Sequence, residues 1–319
     1  MKTIFITGIA GMIGFHSARK FKTLGWEVIG CDNFNDYYDI DLKKERARIL
    51  KEEDIRVINS DIRDTIHFNN VLENSDVMLH LAAYANPRHA MEEPQLYIDT
   101  NITGTQRLVE VAEQLNLPVV YASSSCVMHG QPLPWNEHDV PGHQNNPYGW
   151  SKRVNECQFM HSKIDRTIGL RFFTVYGPYG RPDMALFKFT DAIVNETPLT
   201  LYNYGDMKRD FTYVDDIVQG IVIVTNRITD NDNQYDGSMH EIYNIGYGEQ
   251  VQLMDFVEEI EKNLDRKGTY DKVAAHPADM PATWSDTSKL QALGYKPTTP
   301  ISEGVAKFIE WYKEYYNVN

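Results

Sequence analysis

Tyr148 and Lys152 stand four residues apart in the stretch NPYGWSK. On a helix that spacing puts both side chains on one face, where an ammonium favours the ionised form of a nearby phenol. A free phenol, with a pKa of about 10, is a poor proton acceptor at neutral pH, whereas one held beside a fixed cation can take a hydroxyl proton. The same spacing also fits an ordinary exposed pair. Its meaning therefore rests on what else the chain carries.

At the other end of the chain, TGIAGMIG places Gly8, Gly11 and Gly14 in a GxxGxxG pattern directly after a short apolar run, KTIFITG. Glycines there permit a tight turn and close approach of backbone to a pyrophosphate, whose charge the amides of a following helix N-terminus stabilise. WEVIGCD then ends in Asp32, where a carboxylate binds ribose hydroxyls and repels a 2′-phosphate. NFNDYYD, which follows, offers no arginine to rescue such a phosphate. NAD is the expected dinucleotide, and Tyr148 and Lys152 become candidates for proton transfer beside a nicotinamide.

The elements that must position these groups read as a regular alternation. GMIGFHSARKFKTLG has helical periodicity between the first two strand-like runs, and the rhythm continues through IRVINSD, DVMLHLAA, a helix around TGTQRLVEVAEQLN, LPVVYASSS, the helix with Tyr148 and Lys152, and RTIGLRFF. Strands separated by helices predict an α/β fold, a Rossmann-type doubly wound parallel sheet with ligands at the carboxyl ends of its strands. After Phe173 the rhythm weakens into loops rich in Gly, Pro and Asp. The expected organisation is an NAD-binding domain over 1–173, a return to it over 212–238, and a smaller C-terminal substrate domain from 174–211 and 239–319. LKKERARILKEED reads as a solvated helix face and ITDNDNQYDG as an acidic surface loop.

Bulk properties narrow the class. With 319 residues and 42% hydrophobic content, the chain can bury a large core. Its formal charge of -14 argues against nucleic acid or anionic membrane as a partner, so a phosphate-bearing ligand must be met by local cations and backbone amides. No secretory leader or apolar run of about eighteen residues occurs, which predicts a cytoplasmic protein. Cys31, Cys126 and Cys157 lack CxxC spacing, and the ten histidines form no ligand pattern, so no metal is expected.

DNFNDYYD, HLAAYANPR, RFFTVYGPYGRPDMALF, NYGDMKRDFTYVDDI and DMPATWSDTSKLQALGYKP resemble the extended short-chain dehydrogenase/reductase superfamily, and within it most closely the UDP-glucuronate 4-epimerases. That resemblance covers nearly the whole chain. It implies reversible NAD-dependent C4 epimerisation of a UDP-sugar through a 4-keto intermediate, in nucleotide-sugar metabolism or polysaccharide biosynthesis. UDP-glucuronate and UDP-galacturonate are the leading pair; UDP-glucose, a UDP-N-acetylhexosamine, decarboxylation, or a silent NAD-binding protein are the alternatives. A homodimer through helices near residues 99–115 and 148–163 is implied as well.

Residue by residue, the resemblance gives Ser124 as the hydroxyl that meets the reacting sugar oxygen, with Tyr148 and Lys152. It adds Met12, Ile13, Asn33, Asp61, Ile62, Leu81, Ala82, Ala83, Asn101 and Phe172 to the glycines and Asp32 around the cofactor. VMHG replaces the family's VYG after YASSSC, adding one residue. Ser125 and Cys126 stand where related dehydratases have Asp and Glu and where decarboxylases keep a Glu, so elimination of water or loss of carbon dioxide lacks its acid. Arg209 matches a phosphate-binding arginine, and Tyr202, Asn203 and Asp279 are the implied nucleoside contacts. For the sugar, Arg181 is the implied partner of a C6 carboxylate, with Thr174, Ser125 and the rival Arg88.

Overall fold

The computed structural model describes residues 1–230 and 239–318. Seven strands form one wholly parallel sheet, in the spatial order Met239–Ile245, Arg166–Phe172, Val119–Ser124, Val77–His80, Thr3–Thr7, Glu27–Asp32 and Arg56–Asn59. Each strand is short, and the inner strands Thr3–Thr7, Val77–His80 and Val119–Ser124 are buried on both faces, as a parallel sheet between helix layers requires, while the edge strand Arg56–Asn59 has no buried residue. The chain order reverses between Thr3–Thr7 and Val77–His80, so the loops leaving these strands part and open a crevice above the first strand.

One helix layer consists of Met12–Thr23 and Val214–Thr229, whose Phe15, Ala18, Phe21, Ile217, Ile221 and Val224 pack on Ile4, Ile6 and Val28. On the opposite face, Leu108, Val109 and Ala112 of Thr105–Leu115 and Phe159 of Pro147–Met160 cover Phe5, Met78, Val119 and Tyr121. The segment expected to return to the first domain therefore packs on its sheet as far as Thr229; residues 231–238, with most of the acidic loop, lie outside the described residues. A separate core unites Ala185–Val194, Leu253–Leu264 and Ile301–Tyr316 around Phe187, Phe211, Phe256, Phe308 and Tyr312. Met239–Ile245, assigned from sequence to the smaller domain, is instead the seventh strand of the main sheet, paired with Arg166–Phe172 along its length. No described helix is long and apolar enough to cross a membrane.

Helix Pro147–Met160 starts where local chemistry directs it. Asn146 accepts from the Gly149 amide at 2.8 Å, and Pro147 takes the first position, where no amide is needed. Its seating on the sheet depends on Glu156, which is 1% exposed. The carboxylate accepts from Ser123 Oγ at 2.7 Å and from Arg171 Nε and Nη2 at 2.8 and 3.1 Å, with Arg153 Nη1 at 2.9 Å on its outer oxygen. Burial raises the Glu156 pKa, but hydrogen bonds and charge from Arg171, with Ser123 and Arg153, outweigh it and leave the value below the ordinary one.

Replacing Glu156 by alanine leaves Arg171 buried without its counter-charge and is expected to lower unfolding stability by about 3–5 kcal/mol, measured by urea titration near neutral pH. A depressed folded pKa stabilises the protein above the unfolded value, which is near 4.5, and that contribution fades as pH falls through the folded one. The gap between wild type and variant should accordingly narrow in acid; a gap that widens there contradicts the assignment.

Candidate active site

A single cleft of about 710 Å³ runs along the carboxyl ends of the strands, with the glycine turn at one end and the smaller lobe at the other. Ser124 ends its strand there, and Tyr148 and Lys152 enter from the first turns of the helix that Glu156 seats. Ser124 Oγ accepts from the Cys126 amide at 3.2 Å, capping the turn Ser125–Met128 and leaving its proton free to be donated. In that turn Val127 and Met128 of VMHG are buried against Trp135 and Phe173.

Lys152 Nζ donates to the Ala122 carbonyl at 2.9 Å, and burial pushes its pKa down to about 7. Burial also raises the Tyr148 phenol above its ordinary value; the neighbouring Cys126 adds to this, while hydrogen bonding with Ser124 and the charge of Arg181 act against it. A phenol lowered by Lys152 is therefore not what the free protein holds. The reason is that burial of the hydroxyl outweighs the Ser124 hydrogen bond and the Arg181 charge. Tyr97 packs edge-on against the Tyr148 ring at 6.3 Å and fixes its plane.

At the cofactor end, Gly8 has φ +71°, and a Cβ there would lie 2.9 Å from the Ala82 backbone; one on Gly14 would lie 2.2 Å from the Gly8 carbonyl. Only glycine keeps that cradle open. Asp32 is 9% exposed, with one oxygen on the Ala10 amide at 3.1 Å and the other on the Phe34 amide at 2.9 Å. Burial raises its pKa, as expected for a carboxylate awaiting hydroxyl donors. Gly11, Met12, Ile13, Asn33, Ile62, Leu81, Ala82, Ala83 and Phe172 also line the cleft, and this set fits a dinucleotide. Two expected residues do not line it. Asp61 is held by Arg63 and orients Asn33 at 2.8 Å, while Asn101 is fully buried, bonding the Tyr84 backbone and Ser151 Oγ.

In the substrate half, Ser125, Thr174, Tyr202 and Arg209 line the cleft. Arg209 Nη1 is directed at the Lys208 and Pro281 carbonyls, at 2.9 and 3.3 Å. Asn203 does not line it; in a left-handed turn with φ 49°, it bonds the Asp206 carbonyl. Arg88 and Asp279, expected separately, form one ion pair at 2.7 Å, with the guanidinium 3.6 Å over the Tyr202 ring. Arg181 lines the cleft, but not as a free cation. Its Nε and Nη2 grip Asp183 at 2.9 and 2.5 Å and its Nη1 donates to the Ala85 carbonyl at 3.0 Å, because a carboxylate two residues on reaches both nitrogens.

Sequence reading missed Arg46. The supposedly solvated helix Ile40–Glu52 buries Leu42, Lys43, Arg46 and Leu50. Fully buried Arg46 donates Nη1 to the Ala10 carbonyl of the glycine turn at 2.8 Å and Nη2 to the Tyr179 carbonyl at 2.6 Å. Lys43 lines the cleft near Asp32, and burial pushes its pKa down to about 8. The spacing of Leu42, Arg46 and Leu50 along one helical stripe was the available signal. Asp183, Tyr37 and Asn86, also in the cleft lining, carried none, since their bonds join residues 97 and 146 positions apart.

Residues 4–246 match the model of the NAD dependent epimerase/dehydratase family. The chain is 39% identical to Protein CapI of Staphylococcus aureus, covering 98% of this chain and 99% of that one. It is 36% identical to the Probable UDP-glucuronate 4-epimerase of Rhizobium meliloti (strain 1021), covering 98% and 97%. The crystal structure of UDP-glucuronic acid 4-epimerase from Bacillus cereus in complex with UDP-glucuronic acid and NAD superposes with TM-score 0.90 at 30% identity, covering 98% of this chain and 100% of that one. A glycine cradle with a buried acid beyond it, a serine, tyrosine and lysine at one cleft, and matches over nearly the full length agree: the chain belongs to the NAD dependent epimerase/dehydratase family.

Proposed function

We propose that this protein reversibly inverts C4 of UDP-glucuronate and UDP-galacturonate. The observation that carries the reading is the meeting of Ser124, Tyr148 and Lys152 in a cleft whose other end is a dinucleotide cradle. Its relatives in sequence and structure, named as UDP-glucuronate 4-epimerases, support it. NAD is the cofactor, and when bound it supplies a reversible acceptor for the hydrogen on C4. Ser124, with its oxygen capping the turn, donates toward the C4 oxygen. Tyr148 removes the C4 hydroxyl proton and gives it back after the 4-keto sugar presents its other face. Burial keeps the phenol protonated in the free protein, against the pull of the Ser124 hydrogen bond and the Arg181 charge. Its base strength therefore has to come from positive charge brought to bear in the complex, and Lys152 on the next turn is the candidate that the helix places nearest in sequence.

A uronate is favoured by the state of the carboxylates. The acids lining the cleft among the described residues are Asp32, Asp183 and Asp279, and each is committed: to backbone amides, to Arg181 and to Arg88. None is left to repel a C6 carboxylate. Ser125 and Thr174 offer hydroxyls to it, with the Arg181 guanidinium, fixed by Asp183, as the cation of that region. Held by directional donors, a β-keto carboxylate is kept from the orientation in which its carbon–carbon bond breaks. Arg209 is assigned to the diphosphate, and Tyr202 to the nucleoside. The proposal includes a homodimer through the helices near residues 99–115 and 148–163, supported by the family resemblance.

Tyr148→Phe should retain NAD and fold normally while turnover falls at least about a hundredfold, the low end for a general acid and base. Near-normal turnover in a coupled assay removes Tyr148 from the mechanism. For the sugar, a Ser125→Ala, Thr174→Val double variant should lose at least about tenfold more kcat/KM on UDP-glucuronate than on UDP-glucose, since hydrogen bonds to a charged group are the stronger ones. Released carbon dioxide should rise alongside. Equal losses on both sugars contradict the uronate contacts.

A further inference from the structure

Asp183 receives more donors than any local role requires. Beyond the bidentate Arg181, its Oδ2 accepts from the Tyr37 hydroxyl at 3.0 Å and from Asn86 Nδ2 at 3.0 Å. Tyr37 lies in the loop after Glu27–Asp32, and Asn86 in the loop after Val77–His80. Those strands flank Thr3–Thr7 on its two sides, so the two loops border the crevice above the glycine turn from opposite directions. Asp183 comes from a third segment, beyond the sixth strand in sequence, and binds both. Arg181 reinforces the tie by donating to the Ala85 carbonyl, and Asn86 Oδ1 caps the helix Pro87–Glu92 through the Arg88 and His89 amides.

We infer that Asp183 is a clasp that joins the two loops bordering the dinucleotide crevice and thereby sets how slowly NAD leaves. Tyr37, Asn86, Arg181 and Asp183 all line the cleft, so the tie lies at the site and not behind it. Its electrostatics suit a permanent fastening. Burial raises the Asp183 pKa, but the Arg181 charge and bonds, then Asn86 and Tyr37, hold it at about 2, so the carboxylate stays ionised across the working range. Tyr37, raised by burial and by Asp183 itself, stays a donor. A redox cycle that ends where it began gains from a cofactor that does not exchange between turnovers, and a positioning residue shared by both loops provides that retention.

The inference rests on NAD binding at the glycine turn, and its test separates the two. NAD dissociation from holo-protein can be followed by displacement with excess NADH, read by NADH fluorescence. Tyr37→Phe, which removes one cross-crevice hydrogen bond, should speed release about fivefold, the scale of one ordinary hydrogen bond. Asp183→Asn, which loses the ionic contacts, should speed it more, and Asp183→Glu should restore part of the retention. The melting temperature of cofactor-free Tyr37→Phe should stay close to wild type, whereas Asp183→Asn, which leaves the largely buried Arg181 without its counter-charge, should lower it, so the Tyr37 variant carries the test. Wild-type release rates in Tyr37→Phe and Asp183→Asn overturn the clasp, as does faster release in Tyr37→Phe accompanied by a matching loss of its apo-protein melting temperature. A wild type that binds no NAD overturns the cofactor reading together with it.

Discussion

The position of the proposed reacting groups depends on one buried carboxylate. Glu156 binds Ser123 and Arg171, which precede Ser124 and Phe172 by one residue on adjacent, paired strands. Helix Pro147–Met160 is thus fastened to the two strand ends that carry the site, and the turn bearing Tyr148 and Lys152 can occupy only one height above Ser124. A second fastening ties the same helix to the segment around Asn101: Asn155 Nδ2 donates to the Asn101 carbonyl at 2.6 Å, and Asn101 Nδ2 to Ser151 Oγ at 3.0 Å, while Ser151 Oγ donates to the Tyr148 carbonyl at 2.8 Å. Groups that must cooperate within tenths of an ångström are held by side chains that are themselves buried and bonded.

Electrostatics complete the design in an acidic protein. With formal net charge -14, the chain cannot attract a nucleotide sugar by its overall field, so recognition falls to a few placed cations. Arg88 and Arg181 are each matched to one aspartate, which fixes their planes and occupies both acids in the substrate half of the cleft among the described residues. Lys152, lowered to about 7 by burial, shows the cost of placing an ammonium beside the reaction.

Much of this was legible in the chain. The alternation of apolar strands and periodic helices, the glycine turn, Asp32 and the Tyr148–Lys152 spacing are encoded within a few residues of one another, where backbone geometry is dictated locally. What could not be read is selection of partners through space. Arg181 and Asp183 are two residues apart, yet nothing in GRPDM says that the guanidinium faces the aspartate and not a ligand. Arg88 and Asp279 lie 191 positions apart and meet only in the folded chain. The stripe of Leu42, Arg46 and Leu50 was masked by a run of charge that normally marks solvent, and the carbonyls of Ala10 and Tyr179 that receive Arg46 lie far from it in sequence. The seventh strand fell on the wrong side of a boundary because a short run read in isolation does not say which sheet it will join.

The central claim is that these residues support inversion at C4 with the C4 hydrogen kept within the site. Its most direct test is to incubate the purified protein with UDP-glucuronate carrying deuterium at C4, in ordinary water, and to follow the mixture by NMR. The account predicts that UDP-galacturonate appears until the two sugars reach equilibrium, that the same ratio is reached from UDP-galacturonate, and that the deuterium remains on C4 of the product. Failure of C4 to invert, or replacement of that deuterium by solvent hydrogen, would contradict it.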